Sequence, residues 1–246
     1  MGDLPKLGRD LREMSFPAAI GEVIKVGATG VLELHDTLGV NRAYFVGGRP
    51  QGGRLARMKH PLGRLVVDEG LISEAELNQA LGTQRENQKL LGQVLLELGY
   101  LDTGTLEALI RRQSQLNFYS LFSARDGRLV FREGTVHLTN FTPAPMPPVA
   151  GIYFGLREAN RIEPVESAVA PMLTAGVQLR TDPENVSEQM PPAERFAIES
   201  MREAVFPGEI ARRIPLPGNA VAFLLFALLA NNALRLVPAR QVPRVA

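Results

Sequence analysis

Three histidines, His35, His60 and His137, stand apart in a chain of 246 residues that has no cysteine. No two of them fall at metal-ligand spacing. Without cysteine there is no thiolate nucleophile, Cys-ligated zinc, iron–sulfur centre or disulfide. Asp68 and Glu69 are adjacent, and adjacent positions on a helix do not face each other. A solvated face explains them better than general acid–base work. Ser15, Ser73 and Ser120 lack the elbow pattern and the paired base of a nucleophile. There is no phosphate-binding Gly-Lys-Ser/Thr loop, and GGRPQGG (47–53) suits a hairpin turn better than a phosphate cradle. The residue inventory therefore points away from an enzyme and calls for no metal and no cofactor.

One charged cluster remains. Arg54, Arg57, Lys59, His60 and Arg64 occur with no acid between Arg54 and Val67. Cationic side chains beside free backbone N–H groups are what phosphates require. A solvated linker face accounts for the same cluster with fewer assumptions and is preferred. What gives the cluster interest is its position, directly before a duplicated stretch.

Residues 61–113 are one motif written twice. PLGRLVVDEGLISEAELNQALGTQ (61–84) is followed by the spacer RENQK and then by LLGQVLLELGYLDTGTLEALIRRQ (90–113). At an offset of twenty-nine positions Leu62, Gly63, Gly70, Leu77 and Gln84 fall on Leu91, Gly92, Gly99, Leu106 and Gln113. Self-similarity of this kind is a stronger signal than a single motif. Each copy is expected to form a helical hairpin: a short apolar helix ending at Gly70 or Gly99, then a helix capped by Ser73 or Asp102. Gly63 and Gly92 lack a side-chain shield, so a flat ligand or another helix can come close there.

This pattern resembles the MshEN-type domain, a cyclic-di-GMP-binding module at the N-terminus of many secretion and pilus assembly ATPases. The resemblance rests on both Leu-Gly pairs, both mid-motif glycines, both terminal glutamines and the five-residue spacer. It implies a ligand site at Leu62, Gly63, Arg64, Gly70, Gln84, Leu91, Gly92, Gly99 and Gln113. The family's leading arginine is replaced by Pro61 in one copy and Leu90 in the other. Lys59 or His60 would have to stand in for it.

Around the repeat, Ser15 is expected to cap a helix running to Gly27, with Pro17 in its first turn. GVLELHD alternates, with Leu32 and Leu34 on one face and Val31, Glu33 and His35 on the other. RAYFVGGRPQGGRLA supplies a strand, a Gly-Gly turn and a short third strand. RDGRLVFREG is expected to return to this meander. The helix-then-meander, with Phe45 and Val46 running into Gly47 and Gly48, resembles the PatA-type N-terminal domain of bacterial signalling proteins. That resemblance implies a regulatory module.

The expected fold is α+β: a small antiparallel meander packed with a tandem helical-hairpin repeat, then a small, mostly α, winged-helix-like C-terminal domain. The expected division is a flexible N-terminus (1–14), the α+β domain (15–140), a Pro-rich linker (141–148), a mostly helical domain (149–238) and a flexible tail (239–246). Charges nearly cancel, 27 Lys and Arg against 26 Asp and Glu, so there is no bulk attraction to nucleic acid or anionic membrane. The apolar run 220–230 is short of the roughly 20 residues a membrane helix needs. The charged N-terminus is not a signal peptide, and a cytoplasmic location is expected. The last helix has no basic residue before Arg235, which disfavours nucleic acid as a partner.

Two functions of different class follow. One is a non-enzymatic regulatory scaffold that contacts protein partners, favoured by the loss of both leading arginines. The other is a cyclic-di-GMP sensor, favoured by retention of the rest of the motif.

Overall fold

The computed structural model describes residues 9–139 and 141–242. The first eight residues of the expected flexible N-terminus, and the tail after Val242, lie outside them.

The first described residues are not loose. Arg9–Asp10 form a short strand, β1, opposite Leu129 and Arg128. Leu11 N donates to Gly127 O at 2.9 Å, and Leu11 and Met14 pack on the core. The expectation of a flexible segment up to residue 14 is thus corrected from residue 9 onward, because backbone pairing holds it.

Helix α1 (Phe16–Lys25) begins where expected. Ser15 Oγ accepts from Ala18 N and Pro17 stands in the first turn. Phe16, Ala19, Ile20 and Val23 recur at helical spacing and are buried. The helix gives way to Gly27 at φ +64°, a conformation glycine adopts without a Cβ penalty.

Strands β2 (Gly30–Asp36), β3 (Gly39–Val46) and β4 (Arg49–Arg54) form the meander. Gly47 and Gly48, at φ +56° and +75°, make the tight β3–β4 turn, as primed hairpin turns require. The expected return strand is β5 (Arg128–Glu133), which pairs antiparallel with β2 in the register Leu32↔Phe131 and Leu34↔Leu129. The sheet order is β1-β5-β2-β3-β4. Leu32, Leu34, Ala43, Phe45 and Leu129 point inward and are buried.

Helices α2 (Leu62–Asp68), α3 (Glu74–Asn87), α4 (Leu91–Glu97) and α5 (Thr103–Ser120) lie between β4 and β5. They enclose their own buried cluster of Leu65, Val66, Ile72, Leu77, Ala80, Val94, Leu95, Leu101, Leu106 and Leu109. Burying one such aliphatic side chain contributes about 1.5–3 kcal/mol. Helix α5 continues past this cluster, and Phe118 at its far end joins the main core. Its approach to the sheet depends on Gly53: a Cβ there would stand 2.7 Å from Phe118 N. The second glycine pair of GGRPQGG therefore makes room for a helix, while the first makes the turn.

The C-terminal part contains α6 (Pro148–Ala159), α7 (Glu166–Thr174), β6 (Gly176–Leu179), α8 (Pro192–Ser200), α9 (Pro207–Arg213), α10 (Ala220–Ala230) and β7 (Leu234–Val237). Strands β6 and β7 pair antiparallel, with Val177 opposite Leu236 and Leu179 opposite Leu234. Helix α7 carries Pro171 inside it. Helix α8 ends at Ser200, with Met201 as its C-cap.

The Pro-rich segment, expected as a linker, runs along β4. Ala144 N donates to Gln51 O and Met146 N to Pro50 O, at 2.8 and 3.0 Å, and both side chains are buried. One buried cluster includes Phe16, Leu32 and Phe45 on one side of that segment and Tyr153, Leu156 and Phe223 on the other. Helix α10 reaches α1 closely enough that a Cβ on Gly21 would stand 3.2 Å from Ala230 Cβ. Ser15 Oγ also donates to Pro164 O at 2.9 Å. Among the described residues no helix is long and apolar enough to cross a membrane.

Candidate functional site

Positions related by the twenty-nine-residue offset share several backbone hydrogen bonds. Arg64 N bonds Pro61 O and Gln93 N bonds Leu90 O, each at 3.0 Å. Leu71 N bonds Val66 O and Tyr100 N bonds Leu95 O, again each at 3.0 Å. Gly70 and Gly99 stand at φ +69° and +70° with open space where a Cβ would be. Both are solvent-exposed helix-end glycines, required for their backbone conformation. Ser73 Oγ accepts from Glu76 N while the Glu76 carboxylate accepts from Ser73 N, a full capping box. Asp102 Oδ1 accepts from Thr105 N at 2.7 Å. These backbone N–H bonds hold both carboxyls, of Glu76 and Asp102, below the ordinary carboxylate range.

The other two glycines of the expected site are occupied by protein. A Cβ on Gly63 would stand 2.9 Å from Leu77 Cδ1 and 3.2 Å from Leu91 Cδ2. A Cβ on Gly92 would stand 3.1 Å from Leu106 Cδ1 and 3.6 Å from Leu62 Cδ2. The leucine of each Leu-Gly pair thus lies over the glycine of the other pair. Leucine side chains from neighbouring helices approach both glycines closely.

The polar members of the expected site are largely committed elsewhere. Arg64 pairs with Asp68 at 3.2 Å and with Glu74 at 2.8 Å. Gln113 Nε2 donates to His60 O at 2.5 Å. His60 Nε2 lies 2.9 Å from Ser120 Oγ. Burial lowers the His60 pKa, with Lys59 and Arg112 adding to the effect against Glu158. That shift disfavours the charged form of the ring. Gln84 is half-buried on α3, and Lys59 is exposed.

The His60–Ser120 contact supplies Ser120 with an imidazole that sequence spacing could not reveal. Ser120 sits at the end of α5 and is buried. Among the described residues no carboxylate hydrogen-bonds His60. The contact joins the loop before α2 to the end of α5.

Three clefts border the basic loop. One of about 650 Å³ lies between β4 and α5 and is lined by Arg54, Met58, Ile110, Gln113 and Asn117. A second, of about 390 Å³, is lined by Leu38, Leu55, Met58 and Leu121, with Arg57 and Lys59 beside them. A third, of about 440 Å³, opens on the outer face of the sheet between Glu33, Arg42, Tyr44, Arg54, Arg132 and His137. There Glu33, with its side chain 6% exposed, is bonded by Arg132 Nε at 2.8 Å and by Arg42 Nε at 3.2 Å. His35 Nε2 adds a contact at 3.0 Å. Burial alone would raise the Glu33 pKa; hydrogen bonds from Arg132 and His35 and the charges of Arg132 and Arg42 outweigh it, and the pKa is lowered.

Of these residues the sequence singled out only Arg54 as part of a cluster. The available signal was alternation, which placed Glu33 and His35 on the outward face of β2. Arg42 and Arg132 join them only once the strand order is known.

A second buried ionic group ties α6 to α8. Tyr153 Oη donates to Glu194 Oε1 at 2.5 Å, and Arg157 Nη1 donates to both, at 2.9 and 3.3 Å. Burial, and then the bond to Glu194, push the Tyr153 hydroxyl up to about 12. Helix α10 is buried through Phe223, Leu224, Leu225, Phe226, Ala227 and Leu228. Among the described residues no three His, Asp or Glu side chains are grouped to hold a metal ion.

Comparison of the chain with family models, curated proteins and solved structures returns no match.

Proposed function

We propose that the chain is a non-enzymatic regulatory module that acts as a protein-interaction scaffold. In this account residues 61–113 are two copies of an MshEN-like helical hairpin whose ligand floor has become helix packing. The surrounding α+β unit is of PatA type, and the setting is bacterial signalling or surface motility. The observation that carries it is the reciprocal packing of Leu91 over Gly63 and Leu62 over Gly92. The replacement of the leading arginines by Pro61 and Leu90 and the pairing of Arg64 with Asp68 and Glu74 support it. Met58 and Leu90, each 72% exposed, are apolar side chains that a protein partner would cover. The β6–β7 pair beside α8 and α9 is where a winged-helix-like arrangement would lie, serving protein contact rather than DNA.

Calorimetric titration with cyclic-di-GMP, with cyclic-di-AMP and GTP as controls, tests this account. No saturable heat is expected. The runner-up, a cyclic-di-GMP sensor, draws on one observation: Arg54 and Gln113 line the same cleft between β4 and α5. On that alternative, saturable binding would be weakened by Asn117→Ala in the cleft.

A further inference from the structure

We propose that the outer face of the five-stranded sheet is a binding site for a small, polar, phosphate-bearing ligand, held by Arg42, Arg54 and Arg132 around the anchor carboxylate of Glu33.

The placement follows from the pleat. Successive residues of a strand point to opposite faces. Leu32, Leu34, Ala43 and Leu129 fill the core, so Glu33, Arg42 and Arg132 project outward. In register, Glu33 stands opposite Arg42, and Arg42 opposite Arg54. Arg132 stands opposite Val31, one outward position along β2 from Glu33. Four charged residues from four strands therefore meet on one patch, and three are cationic.

Glu33 both holds and aims the arginines. It engages Arg42 and Arg132 through Nε. Each guanidinium keeps its two terminal amines, and among the described residues neither arginine has another carboxylate partner. A planar fork with free terminal amines, fixed through Nε, is pre-organised for the oxygens of a phosphate.

The charge balance leaves work for an anion. One carboxylate faces three guanidinium groups, and among the described residues Arg54 has no ion pair. Like charges directly opposite one another on neighbouring strands are unfavourable, as Arg42 and Arg54 are here. A bound phosphate would relieve that repulsion.

The space fits a small molecule. The cleft of about 440 Å³ is at the lower end of the range for small-ligand pockets, about 300–1,000 Å³. Its lining is polar apart from Val31 and Val136, with His137 and Thr139 near the arginines. Tyr44, beside them, is already stacked on Phe141, with ring centroids 4.1 Å apart. A phosphate on a sugar or another hydroxylated body suits this lining better than one on a large apolar group.

The test is titration of the whole protein, at low ionic strength, with inorganic pyrophosphate and with ribose 5-phosphate. Saturable binding is expected for at least one probe, with Kd below about 1 mM, weakening as salt rises. Equal binding of both would identify the phosphate as the recognised group, and tighter ribose 5-phosphate would add the body. Arg54→Ala, which breaks no ion pair, should weaken binding about tenfold or more by removing charge-assisted hydrogen bonds, with Tm unchanged. Arg132→Gln alone strips a partner from buried Glu33, so it is made together with Glu33→Gln. This neutral pair should also lose at least tenfold. Arg64→Ala, on the far helical unit, should bind as the parent does. Failure of both probes to bind, or full binding by both Arg54→Ala and the double variant, would overturn the proposal.

Discussion

Two buried regions of this molecule are held together in different ways. The helical cluster of α2–α5 is wholly aliphatic, and its members lie between Leu65 and Leu109 in the chain. The main core is rich in aromatics brought from distant places. Phe16 meets Phe122 edge-on at 5.4 Å, Phe118 meets Phe122 at 5.6 Å and Phe45 meets Phe118 at 6.3 Å. The first region is built from short-range contacts that a repeat can encode locally. The second depends on strand order and on the return of α6 and α10 to the sheet. Helix α5 belongs to both, through Leu106 and Leu109 at one end and Phe118 at the other. The helical cluster is therefore expected to open locally at lower free energy than the main core, as small cooperative units do.

A loss of stability of several kcal/mol is expected from one substitution in each region. A Cβ on Gly155 would stand 2.4 Å from the Phe122 ring, so Gly155→Ala forces α6 off the ring. Overpacking of this kind costs about 3 kcal/mol, read as a lowered urea midpoint. Leu95→Ala removes a fully buried side chain from the helical cluster at a cost of about 2–5 kcal/mol. Here the location of the loss matters more than its size. Amide exchange should accelerate in α2–α4 while α6 and α10 keep their protection. Uniform acceleration across both regions would break the comparison.

An alkaline transition follows from Tyr153. Its hydroxyl, normally near 10, is raised to about 12. The folded state thus keeps a proton that the unfolded chain releases. This stability is complete below about pH 10 and is lost as pH rises toward 12, on the order of 2–3 kcal/mol. Tyr153→Phe should flatten that loss in a series of melts against pH. Burial likewise raises the hydroxyls of Tyr44 and Tyr119. The smallest effect is at a cap: Ser73→Ala removes the capping box and should cost about 1 kcal/mol, again expressed in the helical cluster first.

The same contrast explains what could be read from the chain. The helices of 61–113, their caps at Ser73 and Asp102 and the glycines ending α2 and α4 are local features, and spacing revealed them. The return of β5 to β2 was legible because Leu129 and Phe131 alternate like Leu32 and Leu34. The filling of Gly63 and Gly92 was not legible, since it depends on how one hairpin crosses the other. Nor was the burial of Ala144 and Met146, because a proline-rich stretch looks alike whether it is solvated or lies along a strand. The outward cluster at Glu33 was hidden for the same reason: positions 33, 42, 54 and 132 meet only through the sheet.

The most direct measurement is the titration of the intact protein with cyclic-di-GMP by calorimetry. With Leu91 packed over Gly63 and Leu62 over Gly92, the account predicts no saturable heat. It also predicts that Gly63→Val lowers Tm through the clash with Leu77 rather than through any ligand effect. Saturable low-micromolar binding that is specific for cyclic-di-GMP and abolished by Gly63→Val and Gly92→Val at unchanged Tm would contradict it.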